Sequence, residues 1–191
     1  VNLPTLDEKT YGVLNGGNMR DVLSGVQAAV KAGLYPVKLN MLVLKEVNEK
    51  EIPRMIAFAR HTATILQLIE LEPVNIDDLF YSRYFYSLEG VEAELKEQAL
   101  EMKTRGDMQN RRMYFLPKVK VEVVHPIENT EFCARCTRLR VTSDGKLKPC
   151  LMRNDNLVDV LTPLREGADD HELKQLFVMA VKRREPYYKI V

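Results

Sequence analysis

Charge of either sign is missing in excess: Lys and Arg number 28 and Asp and Glu 27 in 191 residues. A general nucleic-acid binder carries a cationic face, so that class is excluded and any anion recognition must be local. No uninterrupted apolar run approaches the ~20 residues needed to cross a bilayer, and no signal-peptide pattern opens the chain. No membrane partner is expected. Internal repeats and low-complexity tracts are also missing. Cysteine is scarce, with three in all, between residues 133 and 150. A secreted disulfide framework is even in number and dispersed. An odd, clustered set instead points to a metal site in a reducing compartment, hence the cytoplasm. The rest, 46% hydrophobic and 29% charged, is ordinary for a globular chain long enough to bury a core.

Periodicity gives a coarse order of elements. Val1-Asn2-Leu3 reads as the end of a strand, and residues 4–17 as a loop with one helical turn. Val22, Val26, Ala29 and Val30 recur at helical spacing, with Gly33 as a stop. Residues 37–44 read as a buried strand. Asn48 and Glu51 form a capping-box pattern for a helix whose apolar face is Ile52, Met55, Ile56 and Ala59. Residues 64–71 read as a second buried strand. This alternation predicts parallel strands joined by helical crossovers. After Pro73 the rhythm changes: residues 74–87 read as a loop, 88–103 as a helix, and 113–115 and 119–124 as strands interrupted by Pro117. Asp144-Gly145, between residues 137–143 and 146–151, is a two-residue hairpin signal. Asp169 and Glu172 cap a last helix with Leu173, Leu176, Phe177, Ala180 and Val181 inward, ended by Pro186.

Polar residues interrupt both early strands. Lys38 and Asn40 share a face with Leu42 and Leu44, while Glu70 and Glu72 share one with Leu66 and Leu68. A lysine there either snorkels at an edge or points into a polar cavity. If the carboxylates share its side, the pattern describes an interior that holds a polar ligand. Such interiors place their chemistry at the C-terminal ends of strands, yet Lys38 stands near its strand's start.

The densest signal is Cys133-x2-Cys136-x13-Cys150. A C-x-x-C places two thiolates on one turn. A tight Asp144-Gly145 turn sets Cys150 opposite Leu139, three residues from Cys136. Three thiolates then converge from one local element. Zinc wants four ligands, with His125 as the candidate fourth, whereas three cysteines suit a four-iron cluster with one open iron. Spacing alone serves both. Arg135, Arg138 and Arg140 crowd the cysteines, and Arg138 and Arg140 would share a strand face suited to phosphate or carboxylate. That setting describes a substrate site better than a structural staple.

The stretch from Phe132 to Leu147 (FCARCTRLRVTSDGKL) and Pro149-Cys150-Leu151 resemble the C-terminal cluster motif of the radical S-adenosylmethionine GTP 3′,8-cyclases of molybdenum cofactor biosynthesis. Shorter likenesses lie at residues 1–7, 37–40 and 67–72. The resemblance implies an α/β chain: residues 1–73 as the second half of a partial (β/α) barrel, and 74–191 as an α+β extension carrying a 4Fe-4S cluster on the three cysteines. It implies GTP contacts at Lys38, Arg138, Leu139 and Arg140. It also implies S-adenosylmethionine contacts at Asn2 and Glu72, where the family more usually has Ser and Met. The family's second 4Fe-4S cluster sits on a C-x3-C-x2-C motif that does not occur in these residues. The expectation is therefore a fragment, inactive alone, of an enzyme that cyclises GTP to (8S)-3′,8-cyclo-7,8-dihydroguanosine 5′-triphosphate. A homodimer and the next enzyme of the pathway are the partners expected besides GTP. A radical S-adenosylmethionine peptide maturase and a non-catalytic zinc module are the alternatives.

Overall fold

The computed structural model describes residues 1–106, 108–126 and 130–184. Two units emerge from its contacts: Val1–Arg105 with Arg111–Pro126, and Gly106–Asn110 with Ile127–Val191. Residues 74–105 and 111–126 thus belong by contact with residues 1–73, because their strands extend the same sheet.

In the first unit, α1 (Glu8–Asn15) occupies the stretch expected as a loop. Its polar composition hides it, but Asp7 accepts the Thr10 N–H and Gly16 closes the helix at φ 66°. Helix α2 (Met19–Lys31) is capped by Asn18 and buries Val26. Strand β1 (Lys38–Leu42) follows, then a 3-10 turn at Glu49–Glu51 and α3 (Ile52–His61). Asn48 does not form the expected capping box. Its side chain accepts from Leu44 N and donates to Pro4 O and Leu42 O, bridging the Pro4 segment to the end of β1. The apolar face of α3 is as expected, with Ile52, Met55 and Ala59 buried.

Strand β2 (Ile65–Ile69) pairs parallel with β1, Lys38 opposite Ile65 and Asn40 opposite Gln67. Residues 74–87 are not all loop: Asp77 accepts the Phe80 N–H and starts α4 (Asp78–Tyr84). The helix expected over residues 88–103 is α5 (Glu89–Gln98) followed by β3 (Glu101–Arg105). Strands β4 (Arg111–Leu116) and β5 (Val119–Val124) meet at Pro117 and Lys118, the latter at φ 61°. The sheet runs β1-β2-β5-β4-β3. The pairs β1–β2 and β2–β5 are parallel, and β5–β4 and β4–β3 antiparallel. Its mixed α/β core gathers Leu39, Met41, Leu66, Leu68, Tyr114, Val121 and Val123 under α2, α3 and α5.

The second unit begins with α6 (Thr130–Ala134) and a three-stranded antiparallel sheet: β6 (Arg140–Val141), β7 (Lys146–Lys148) and β8 (Val158–Asp159), in that order. Helices α7 (Leu161–Arg165) and α8 (Asp170–Lys182) follow. The Asp169/Glu172 capping box is present. Ala180 and, in part, Leu176 pack with Leu147, Val158, Leu139 and Val160. Phe177 and Val181, expected inside, are 44% and 52% exposed, because the small sheet covers only one narrow stripe of the helix. Pro186 lies outside the described residues.

Candidate functional site

Cys133 lies on α6, one residue before its end, and Cys136 N–H donates to Cys133 O at 3.1 Å, the single turn that a C-x-x-C makes. The hairpin differs from the expected one. Thr142 N donates to Lys146 O at 2.9 Å, Thr142 Oγ1 accepts from Lys146 N, and Gly145 takes φ 74°. The loop is therefore three residues long, and Arg140 pairs with Lys148. The ladder ends at that pair, so Cys150 lies two residues past β7 and outside the hairpin pairing, not opposite Leu139 within it. None of the three cysteines is in a disulfide, and each is of intermediate burial. Buried Gln109 donates its Nε2–H to Cys136 Sγ at 3.4 Å and its backbone N–H to Arg135 O. Among the described residues no group of three or more His, Cys, Asp or Glu side chains is gathered closely enough to hold a metal ion.

Arg140 opens β6, but Arg138 precedes the strand, so a shared strand face does not form. Leu139 lies between them and packs into the small core. The guanidinium of Arg184 donates from NH1 to Cys136 O at 2.7 Å and from NH2 to Arg138 O, tying the end of α8 to the cysteine segment. Arg135 and Arg138 are exposed and Arg140 partly so. No carboxylate of the described residues pairs with any of the three.

In the first unit, Lys38 is neither snorkelling nor loose. Its Nζ meets Glu122 Oε2 at 2.5 Å, and the Glu122 side chain is fully buried. Gln67 Nε2 donates to Glu122 Oε1 at 3.2 Å, with Arg111 NH1 3.5 Å from that oxygen and Arg105 NH1 3.7 Å from Oε2. The expectation that Glu70 shares this face fails, since strand alternation sends it to the other side. There His125 lies between two carboxylates, Nδ1 at 2.8 Å from Glu70 and Nε2 at 2.8 Å from Glu92. Glu92 also accepts from Tyr114 Oη at 2.9 Å. Burial pulls the imidazole pKa down, but hydrogen bonds to both carboxylates outweigh it and raise it to about 9. Burial likewise opposes ionisation of Glu92, and the bonds from His125 and Tyr114 hold it below its ordinary value. With both ring nitrogens engaged, His125 is not the fourth zinc ligand that spacing allowed.

Asn2 bridges in parallel to Asn40 and donates to Asn15 Oδ1 at 3.1 Å. Glu72 follows β2, and its carbonyl accepts the Val74 N–H at 2.8 Å.

The profile of the Molybdenum Cofactor Synthesis C family matches residues 64–190. The chain belongs to that family. Proteins named probable GTP 3′,8-cyclase are similar to it over nearly its whole length. That of Methanothermobacter thermautotrophicus is 46% identical over 190 residues, 98% of this chain and 62% of the relative. That of Thermococcus kodakarensis is 48% identical over 196 residues, 99% of this chain and 63% of the relative. That of Methanocaldococcus jannaschii is 42% identical over 191 residues, covering all of this chain. The chain thus spans about 62% of the length of such relatives.

Within this member of the Molybdenum Cofactor Synthesis C family, sequence reasoning missed Gln67, Arg105, Arg111 and Glu122. The alternation Val119-Lys120-Val121-Glu122-Val123 marks one polar strand face. That it lies beside β2 is a long-range pairing which no local pattern carries. The three thiols match a thiolate-held cluster in donor chemistry, as does the amide N–H on Cys136 sulfur. No helix is long and apolar enough to cross a membrane among the described residues.

Proposed function

We propose that this chain is the C-terminal portion of a GTP 3′,8-cyclase, in which residues 74–191 extend the second half of a partial (β/α) barrel formed by residues 1–73. Cys133, Cys136 and Cys150 would hold a 4Fe-4S cluster. When bound, that cluster supplies one iron without a cysteine ligand, open to an atom of the substrate. A second cluster and S-adenosylmethionine belong to the intact protein, with Asn2 and Glu72 as S-adenosylmethionine contacts. A backbone contact at Glu72 would not depend on the identity of its side chain. A homodimer and a downstream enzyme that takes the product complete the proposal.

The observation that carries this reading is the company the cysteines keep. Arg135, Arg138 and Arg140 stand within four residues of Cys136 with no carboxylate partner among the described residues. Guanidinium groups without counter-charge are suited to a polyphosphate, which they grip with paired, charge-assisted hydrogen bonds. The Leu139 side chain is taken by the core, so its contact would be through the backbone. Lys38, held by Glu122, is a GTP contact of the first unit in this reading. The work of these residues is to bind and orient GTP for ring closure.

Equilibrium binding of GTP to the intact protein, isolated anaerobically, tests the assignment. Each charge-assisted bond is worth roughly 1.5–3 kcal/mol. Arg138→Ala and Arg140→Ala should therefore each weaken GTP by about ten- to a hundredfold while iron content stays at the parent level. Arginine-to-lysine variants should recover only part, because the fork geometry is lost. Parent-like GTP binding in both alanine variants would remove this segment from the substrate site.

A further inference from the structure

Glu122 is the most completely enclosed charge in the first unit. Its side chain is 0% exposed, and three cations converge on it. A buried carboxylate is costly unless paired, and this one is paired beyond need, by Lys38, Arg105 and Arg111, with Gln67 donating as well. The contacts divide by oxygen. Gln67 and Arg111 approach Oε1, which fixes the carboxylate plane from β2 and β4; Lys38 and Arg105 approach Oε2 from β1 and β3. The carboxylate on β5 is thus tied to every other strand of the sheet.

The consequence falls on Lys38. A lysine side chain has four rotatable bonds and a compact charge that ordinarily roams. Here Nζ spends one of its three N–H donors on Glu122 at 2.5 Å, makes no other hydrogen bond among the described residues, and keeps 23% of its side chain exposed. One donor is anchored and two remain for a ligand. We propose that Glu122 is a positioning residue. It holds the Lys38 ammonium in one place on the polar sheet face, so that an anionic group of the substrate meets a pre-set cation and not a mobile one. The inference rests on the assignment of Lys38 as a GTP contact and adds to it the group through which Lys38 acts. Pre-setting lowers the ordering cost of binding, and an affinity lost through Glu122 must therefore be lost by way of Lys38.

A double-mutant cycle on the full-length protein reads this directly. GTP binding is measured anaerobically for the parent, Lys38→Met, Glu122→Gln and the double variant. Lys38→Met should weaken GTP. Glu122→Gln should weaken it roughly tenfold, and the double variant should bind no worse than Lys38→Met alone. A general structural role for Glu122 predicts losses that multiply, and multiplying losses overturn the proposal; so does parent-like affinity in Glu122→Gln beside a weakened Lys38→Met. If Lys38→Met itself binds like the parent, the assignment of Lys38 as a GTP contact fails, and the proposal falls with it, by a result distinct from the other two. Glu122→Gln removes a buried counter-charge from three cations. Should it not fold, Glu122→Asp keeps the charge but withdraws it by about one methylene. It should show the same weakening, dependent on Lys38; parent-like affinity in Glu122→Asp overturns the proposal.

Discussion

Cys150 closes the candidate ligand set from the far side of a hairpin, so its contribution can be separated from that of the C-x-x-C turn. Cys150→Ala should sharply lower the iron of the anaerobically isolated protein; unchanged iron and absorbance would take Cys150 out of the ligand set. His125 makes a different prediction, one of stability against pH. Its pKa is raised from 6.5 to about 9, so its contribution is complete below about 6.5 and fades as the pH climbs through 9. Glu92 is held below 4.5, so its contribution is complete above that value and is lost on acidification. Both are in full force between about 4.5 and 6.5. Urea unfolding of His125→Gln should show a deficit on the order of 2 kcal/mol near pH 6 that shrinks toward pH 9. A deficit that does not change with pH would mean that the imidazolium is not what the two carboxylates hold.

Turns and caps decided what could be read at the level of elements. The β1–α3–β2 alternation and the α8 capping box were legible, because apolar periodicity and a three-residue cap signal are local. Helices α1 and α4 were not, since each starts from a single Asp cap in a polar, loop-like stretch. The Asn48-x-x-Glu51 pattern misled: the Asn48 amide is satisfied by the nearby Leu42 and Leu44 backbone and by Pro4, and of these only Pro4 is brought near by the tertiary fold. Asp144-Gly145 marked the hairpin correctly but not its length, because Ser143 joins the loop between the Thr142–Lys146 bonds. Gly145 tests that turn. It sits at φ 74°, and an added Cβ would overlap Leu161, with Cδ2 at 2.8 Å. Its carbonyl also accepts from Val160 and Leu161. Gly145→Ala should cost about 2 kcal/mol or more and, by shifting β7, reduce iron loading. A variant with parent-like unfolding and iron would refute the three-residue turn. At the other end of the segment, Arg184→Ala removes charged donors from Cys136 O and Arg138 O. It should lower stability by about 1–3 kcal/mol, read by chemical unfolding; no change would show that the tie carries no energy.

At the scale of the whole chain, the resemblance carried by the cysteine stretch of residues 132–151 reaches the family, and the match over residues 64–190 bears that out. The extent of the sheet was not legible. Residues 74–191 are expected as an extension, because the strand–helix alternation stops at Pro73, yet β5 pairs with β2 and brings Glu122 to Lys38. Long-range strand order is set by which apolar faces can be buried together, and local pattern does not record it. The central claim is that the three cysteines of the second unit hold a cluster. It is met most directly by iron and acid-labile sulfide per chain in the anaerobically isolated intact protein, beside a variant with Cys133, Cys136 and Cys150 all replaced by alanine. The account predicts that the variant loses about four irons and four sulfides per chain and no zinc. Equal iron and sulfide in the two proteins, or zinc in place of iron in the parent, would contradict it.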